Sequence, residues 1–138
     1  MRPTLALAGV AMAGGLLAAG CAAPTLEPGA LASTSWRLVT IDGRPALDSG
    51  AWIAFGADGS VVGHSGCNNF RGRYSDMEGL GIVNVISTRK FCPPGPDGLD
   101  VERAFFQVMT ATANAERDET TLTLIGRNGA PLARLVTQ

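Results

Sequence analysis

The sequence has no excess of charge of either sign. Its 138 residues include 11 Lys and Arg against 12 Asp and Glu, which gives a formal net charge of −1, and no long run of one sign occurs. Proteins that bind nucleic acids carry a basic face or stripe, because contacts with phosphates dominate their affinity. The composition therefore argues against this class, and we expect no nucleic-acid partner.

Catalytic signatures are equally scarce. The chain has one histidine, His64, and lacks the Gly-x-Ser-x-Gly nucleophile motif, a phosphate-binding glycine loop and the His-Glu-x-x-His zinc motif. General acid–base catalysis requires titratable groups that lie together. The carboxylates of the central region lie in predicted turns, with no spacing that pairs them: Asp42, Asp48, Asp58, Asp76 and Glu78. We expect no enzymatic activity, no catalytic residue and no cofactor.

Cysteine is also rare, and the first of the three cysteines ends a predicted export signal. Residues 1–20 carry one charge, Arg2, followed by an apolar run from Leu5 to Leu17 and small residues before Cys21. This is the pattern of a signal peptide, and a Cys after Ala-Gly resembles a bacterial lipobox, in which the acylated Cys21 begins the mature protein. Ordinary secretion and an uncleaved membrane helix are the alternatives, although the run is barely long enough for a hydrocarbon core of about 30 Å.

The lipobox predicts a cell-envelope protein whose membrane partner is the bilayer that holds its N-terminal lipid anchor. Bound lipid contributes about 0.8 kcal/mol per buried methylene, so a multiply acylated cysteine holds a small domain without a protein span. Ala22, and not Asp, follows Cys21, and the resemblance to sorted lipoproteins implies the outer membrane, facing the periplasm. Residues 21–33 contain two prolines and a glycine without apolar periodicity. They are predicted to be a flexible tether, which leaves residues 34–138 as one domain with a modest core.

The predicted domain has the pattern of a mostly antiparallel β protein. Short β-branched and aromatic runs alternate with turn residues, and the hairpin signals at 57–60 and 127–129 are the clearest. Trp36 and Trp52 lie in apolar β runs and are predicted core aromatics. The predicted strands are 36–41, 52–55, 61–64, 73–74, 81–86, 121–125 and 131–136.

One segment has helical periodicity instead. Asp97 is placed to cap a helix that reaches about residue 113, with Asp100 and Glu102 in a first turn where the helix dipole favours negative charge. The apolar stripe predicts one helix lying on a sheet, and a face that fills a partner's groove is the alternative. The stripe consists of Val101, Ala104, Phe105, Val108 and Met109.

The most distinctive stretch runs from Gly63 to Cys92. It reads Gly63-x-Ser-Gly-Cys-Asn-x-Phe-x-Gly-x-Tyr74, and Ser87-Thr88-x-x-x-Cys92 follows. Together with Trp36 before it and Glu102-x-x-Phe105 after it, this order resembles the META domain family, which includes the HslJ-like heat-shock lipoproteins. The resemblance covers about residues 34–137. Its motif residues are Trp36, Gly66, Cys67, Asn68, Gly72, Tyr74, Thr88, Cys92 and Glu102.

The resemblance implies a mostly β (α+β) fold, in which a curled antiparallel sheet close to a small open barrel carries one packed helix. It also implies a non-enzymatic binding or stress-tolerance role in the envelope, with an envelope protein as a candidate partner. The family is similar in fold to pilot lipoproteins of secretion systems, so a carrier of small apolar ligands inside the sheet is an alternative. The insertion Pro93-Pro94-Gly95-Pro96 departs from the family pattern.

Cys67 and Cys92 are the two cysteines that remain once Cys21 is acylated. Paired thiols in an oxidising compartment become disulfides, so we predict a structural bridge between them. Two alternatives stay open: a Zn or Cu(I) site formed by His64, Cys67 and Cys92, and a Cys67 nucleophile with His64 as its base. Because no fourth ligand has a familiar spacing, we predict no metal.

Two groups of polar residues in this stretch have a structural and a functional interpretation. Asn68 and Asn69 are typical of a bend that aims a strand, and ligand binding is the alternative. The chain's one basic concentration forms either a solvated face or a patch for acidic lipid headgroups or a protein partner. It consists of Arg71, Arg73, Arg89 and Lys90.

Overall fold

The structure is a computed structural model, and it describes residues 26–138. The predicted signal peptide and Cys21 lie outside the described residues. One helix, α1 (Leu99–Ala111), and a short 3-10 turn (Leu47–Ser49) accompany the strands. The strands are β1 (Thr34–Ile41), β2 (Arg44–Pro45), β3 (Trp52–Phe55), β4 (Ser60–His64), β5 (Asn69–Ser75), β6 (Gly81–Ser87), β7 (Thr112–Arg117), β8 (Thr121–Gly126) and β9 (Pro131–Thr137).

The strands form one antiparallel sheet in the order β6-β5-β4-β3-β1-β9-β8-β7, and β2 pairs with β1. The predicted hairpin turns at 57–60 and 127–129 join β3 to β4 and β8 to β9, as expected. The sheet curls into a half-barrel, and its two outermost strands approach each other where Leu80 N donates to Ala113 O at 3.0 Å. The predicted fold class, a curled antiparallel sheet with one packed helix, is confirmed.

Helix α1 lies inside the curl. It contacts β1, β6 and β8, which are far apart in the sheet, so it packs on the concave face. Its predicted apolar stripe is confirmed: Val101, Ala104, Phe105, Val108 and Met109 are buried. Burying a large apolar side chain contributes about 1.5–3 kcal/mol, so this stripe attaches the helix firmly to the sheet. Side chains thus fill the concave face, which argues against a carrier with its ligand inside the sheet.

The ends of α1 differ from the prediction. Gly98, and not Asp97, occupies the cap position, and no side-chain cap bond is formed there. The helix stops at Ala111 because Thr112 turns extended (φ −62°, ψ 131°) and begins β7, a strand that the sequence did not predict. The sequence of β7, Thr-Ala-Asn-Ala-Glu-Arg, is poor in β-branched residues. Its pairing with β8 therefore outweighs its weak intrinsic propensity.

The segment before β1 is packed against the domain from Leu26 onward. Leu26 and Leu31 belong to the hydrophobic core. Leu31 N donates to Asp76 Oδ2 at 3.2 Å, and the Arg117 guanidinium donates to Ala30 O. The tether predicted over residues 21–33 is therefore too long, because burial of two leucines fixes its second half; its residues 21–25 lie outside the described part of the chain.

The chain enters the sheet at one end, and the motif turn lies at the other. Thr34 pairs with Phe55 in β3, whereas Trp52, at the opposite end of β3, pairs with His64. Strand residues advance by about 3.3 Å each, so these ends are about 10 Å apart along β3.

Within residues 26–138 no helix combines the length and apolar character needed to cross a bilayer.

Candidate functional site

The turn between β4 and β5 is the centre of the site. Ser65 N donates to Asn68 O at 2.8 Å, and Asn68 N donates to the Ser65 hydroxyl at 3.0 Å. Gly66 adopts a left-handed backbone (φ 99°), and its N–H donates to His64 Nδ1 at 3.1 Å. A methyl group at Gly66 would also touch Val101 of the helix, at 3.4 Å. That distance is an ordinary contact, so the left-handed backbone, and not a lack of space, is the reason for glycine at this position.

Asn68 connects this turn to two other parts of the chain. Its side chain is 3% exposed, its Nδ2 lies 3.1 Å from both carboxylate oxygens of Glu102, and its N–H lies 3.0 Å from Glu102 Oε2. Its Oδ1 accepts from the Thr88 hydroxyl at 2.9 Å and from Lys90 N at 2.7 Å. The amide thus bridges helix α1 and the loop that follows β6, which is a larger role than the predicted strand bend.

Glu102 is the helical partner of the turn. The Ser65 hydroxyl, which is fully buried, donates toward Glu102 Oε2, and the Asn68 amide and N–H occupy the rest of the carboxylate. Both oxygens of the Glu102 carboxylate are therefore engaged by the turn. We call Ser65, Asn68, Thr88 and Glu102, with the backbone of Lys90, the Asn68 lock.

Cys67 and Cys92 form a bridge over the lock. Their Cα atoms are 5.9 Å apart, as in an ordinary disulfide, and their sulfur atoms are in bonding contact. Asn68 Nδ2 lies 3.3 Å from Cys67 Sγ and 3.9 Å from Cys92 Sγ. The bridge joins the β4–β5 turn to the β6–α1 loop, so it reinforces covalently the connection that Asn68 makes by hydrogen bonds.

The geometry does not favour the metal or nucleophile alternatives. Both thiols are used in the bridge, and His64 Nδ1 accepts from the Gly66 N–H. Among residues 26–138, no group of three or more His, Cys, Asp or Glu side chains is placed to hold a metal ion. In this structure His64 takes part in the β4–β5 turn, and Cys67 and Cys92 form the cross-link.

The other motif residues, Trp36, Gly72 and Tyr74, lie away from the lock and pack the sheet. Trp36 is fully buried under the Arg117 guanidinium, 5.4 Å from its ring centroid. Tyr74 donates its hydroxyl to Gly56 O at 2.9 Å, and burial, followed by the nearby charges of Asp76 and Asp58, raises the pKa of its phenol. A Cβ at Gly72 would lie 2.9 Å from Val83 O. This close approach occurs where β5 pairs with the bulged part of β6, so only glycine fits without a shift.

Sequence reasoning found most members of the lock but not their connections. Ser65 is visible in the motif without a role, and Glu102 is a motif residue whose only predicted physical role is at the helix dipole. The partners are 37 residues apart in the case of Ser65 and Glu102, and 34 in the case of Asn68 and Glu102. The signal that could have found them is a buried polar turn residue whose hydrogen bonds require a partner.

Two hollows open on either side of the lock. One, of about 500 Å³, lies between Cys67 and the proline-rich loop 90–98. The other, of about 440 Å³, lies on the outer face of β4, β5 and β6 between Val62, Arg71 and Ile86. Both are lined in part by residues of the loop that follows β6.

The model of the META domain family matches residues 29–138. No curated protein matches the sequence.

Solved structures share the fold at low identity. A protein from Burkholderia xenovorans, determined by NMR, is 24% identical with a TM-score of 0.62, over 87% of this chain and 94% of that one. A crystallised DUF4847 family protein from Bacteroides vulgatus ATCC 8482 is 15% identical with a TM-score of 0.55, over 77% and 93% of the two chains. Identities this low show the fold alone. The family model, however, covers most of the sequence and includes the whole Asn68 lock, and on this ground the chain belongs to the META domain family.

Proposed function

We propose that the protein is a lipid-anchored component of the cell envelope, on the outer membrane and facing the periplasm, whose META domain works by binding and not by catalysis. The META domain family is not a known enzyme family. The observation that carries the proposal is the Asn68 lock, because its one carboxylate is committed to holding a turn and a loop together. A scaffold built in this way presents a fixed surface to a partner.

The direction of the sheet also supports this role. The chain enters β1 at the end of the sheet opposite the motif turn. An anchor at Cys21 would attach the domain to the membrane from the entry end, and the lock at the β4–β5 turn would then face away from the bilayer. Such an orientation suits the recognition of a soluble or membrane-bound protein of the envelope, and the family resemblance suggests a role in stress tolerance.

The anchor is tested by Cys21→Ser. We expect the variant to lose incorporation of labelled fatty acid and to leave the membrane fraction, whereas Ala23→Ser, a neighbouring substitution, should behave as wild type. Ala22→Asp should move the acylated protein from the outer to the inner membrane. Membrane association of Cys21→Ser after a high-salt wash would contradict the anchor.

The non-catalytic role is tested by Glu102→Gln, which keeps the shape of the side chain and removes its charge. In a strain that lacks the protein and is sensitive to envelope stress, we expect Glu102→Gln to restore tolerance at a temperature where the variant is fully folded. Cys21→Ser, which mislocalises the protein, should restore less. Loss of tolerance with Glu102→Gln at normal folding and abundance would indicate that the carboxylate has a chemical role.

A further inference from the structure

The hollow on the outer face of β4, β5 and β6 has the composition of a docking groove. It lies between Val62, which is 44% exposed, and Ile86, which is 56% exposed. Its floor is formed by residues 69–71 and one wall by Ser87 and Thr88. Arg71 is the only charged residue that lines it in the described part of the chain. The groove therefore combines two exposed apolar side chains with a single cation.

The charge around this groove differs from that of the whole chain. The three strands contain two arginines, Arg71 and Arg73, and no Asp or Glu, although the chain has a net charge of −1. Arg73 is near Asp58, whose negative charge it stabilises. The uncompensated cation of the groove is therefore Arg71, and a partner that complements it must bring a carboxylate or another anion.

The exposed side chains form two rows across the strands. Val62, Arg71 and Ile86 are in register in one row, and Ser60, Arg73 and Val83 are in register in the next. Alternate residues of a strand are about 6.8 Å apart, which equals the separation of side chains i and i+2 in an extended peptide. An extended segment that follows the strands can therefore place alternate side chains over successive rows.

The Asn68 lock fixes one wall of the groove. Asn69 N donates to the Thr88 hydroxyl at 3.2 Å, and Thr88 N donates to Asn69 O at 3.0 Å. The Thr88 hydroxyl in turn donates to Asn68 Oδ1. A wall held in place before binding lowers the ordering cost of association. The motif residue Asn68 thus holds the Thr88 wall of the groove in place, although Asn68 does not itself line the groove.

We propose that this groove docks an extended acidic segment of a protein partner, with an apolar side chain between Val62 and Ile86 and a carboxylate on the Arg71 guanidinium. The proposal rests on the binding role proposed above and names its ligand class. An anionic bilayer is a poorer match, because Arg71 is the only charged residue among the described residues that line the groove, whereas membrane-binding patches use clusters of about four to eight basic residues.

The test is fluorescence anisotropy with the full-length protein in detergent micelles. The probes are two short fluorescein-labelled peptides, one alternating leucine or valine with glutamate and the other with lysine in place of glutamate. We expect the glutamate peptide to bind at least about tenfold more tightly than the lysine peptide, and to bind more weakly as sodium chloride is raised.

Substitutions locate the binding. Arg71→Glu should weaken binding of the glutamate peptide by at least about tenfold and reverse the preference between the two peptides. Ile86→Ser, at an exposed position that tolerates a polar residue, should weaken it by about threefold to tenfold. Arg127→Glu, the matched charge reversal in the exposed β8–β9 turn, should leave the affinity within about twofold of wild type.

Three results would overturn the proposal. The first is equal affinity for the two peptides. The second is an equal loss of affinity in Arg71→Glu and Arg127→Glu. The third is that added phosphatidylglycerol displaces the labelled glutamate peptide as efficiently as the unlabelled peptide does. The last result would assign the groove to anionic headgroups. None of them would affect the outcome of the Cys21→Ser experiment, so failure of the groove and failure of the anchored binding role are distinguishable.

Discussion

The β8–β9 turn and the β4–β5 turn both join antiparallel strands, but they are stabilised in different ways. In the β8–β9 turn, Asn128 Oδ1 accepts from Ala130 N at 3.1 Å, and Gly126 and Gly129 complete the turn with backbone bonds. Every partner lies within a few residues. In the β4–β5 turn, Asn68 is bound by Glu102, Thr88 and Lys90, which lie 34, 20 and 22 residues away.

The difference distinguishes a turn that only reverses the chain from one that organises the domain. A local turn makes its own hydrogen bonds without remote partners. The β4–β5 turn depends on the helix and the β6–α1 loop, so it is complete only when the domain is folded. In return it fixes the loop beside which both hollows lie. Dependence on remote partners is what allows this turn to shape a binding surface.

The largest effect is expected from removing the amide at the centre of the lock. Asn68→Ala leaves the Glu102 carboxylate, the Thr88 hydroxyl and Lys90 N with fewer partners, so we expect the free energy of unfolding to fall by about 4 kcal/mol. The matched change in the local turn, Asn128→Ala, should cost about 1 kcal/mol or less. Urea unfolding followed by tryptophan fluorescence measures both, and similar losses would remove the distinction between the turns.

The next largest effect is expected from the bridge. Cys67 and Cys92 are 25 residues apart, and the chain-entropy model gives about 3.5 kcal/mol for a loop of this length. We expect the Cys67→Ala/Cys92→Ala variant to lose about this amount and to be insensitive to reductant. Reductant should lower the unfolding midpoint of the wild type, and chelator should not. A wild-type midpoint that responds to chelator alone would instead support a metal site.

A smaller effect is expected from neutralising the helical partner. Glu102→Gln keeps the length of the side chain but turns charge-assisted hydrogen bonds into neutral ones, so we expect a loss of about 2 kcal/mol. Asp100→Asn, an exposed carboxylate in the same first helical turn, tests the helix dipole alone and should cost about 0.5 kcal/mol. If the two losses are equal, Glu102 acts through the dipole and not through the turn.

The sequence predicts those parts of the fold and the site whose structure is determined by residues close together in the chain. The turn at 127–129, the helix face around Phe105 and the sheet as a whole follow from local patterns, and the structure confirms them. Strand β7 was missed because its pairing with β8, and not its composition, makes it a strand. The motif residues were found through family resemblance. The sequence could not predict their connection through Asn68, because only the folded chain brings Glu102 and Thr88 together.

The smallest effect is expected on stability at low pH, through Asp58 in another local turn, between β3 and β4. The hydroxyl and N–H of Ser60 donate to Asp58, and these bonds, the hydroxyl first, hold the pKa of this carboxyl below its ordinary value. A folded pKa below the unfolded one gives stability above the unfolded pKa that is lost as the pH falls through the folded pKa. Asp58→Asn should therefore unfold with a slightly weaker dependence on pH below about pH 4. An unchanged dependence would show that the exposed turn contributes nothing measurable.

A double-mutant cycle on Asn68 and Glu102 tests most directly whether the motif is a structural lock. The free energy of unfolding is measured for the wild type, Asn68→Ala, Glu102→Gln and the double variant. Because the two side chains share hydrogen bonds across 34 residues of sequence, we predict that the double variant is more stable than the sum of single losses allows, by about 1–3 kcal/mol. Additive losses would contradict the lock and leave Glu102 free for another role.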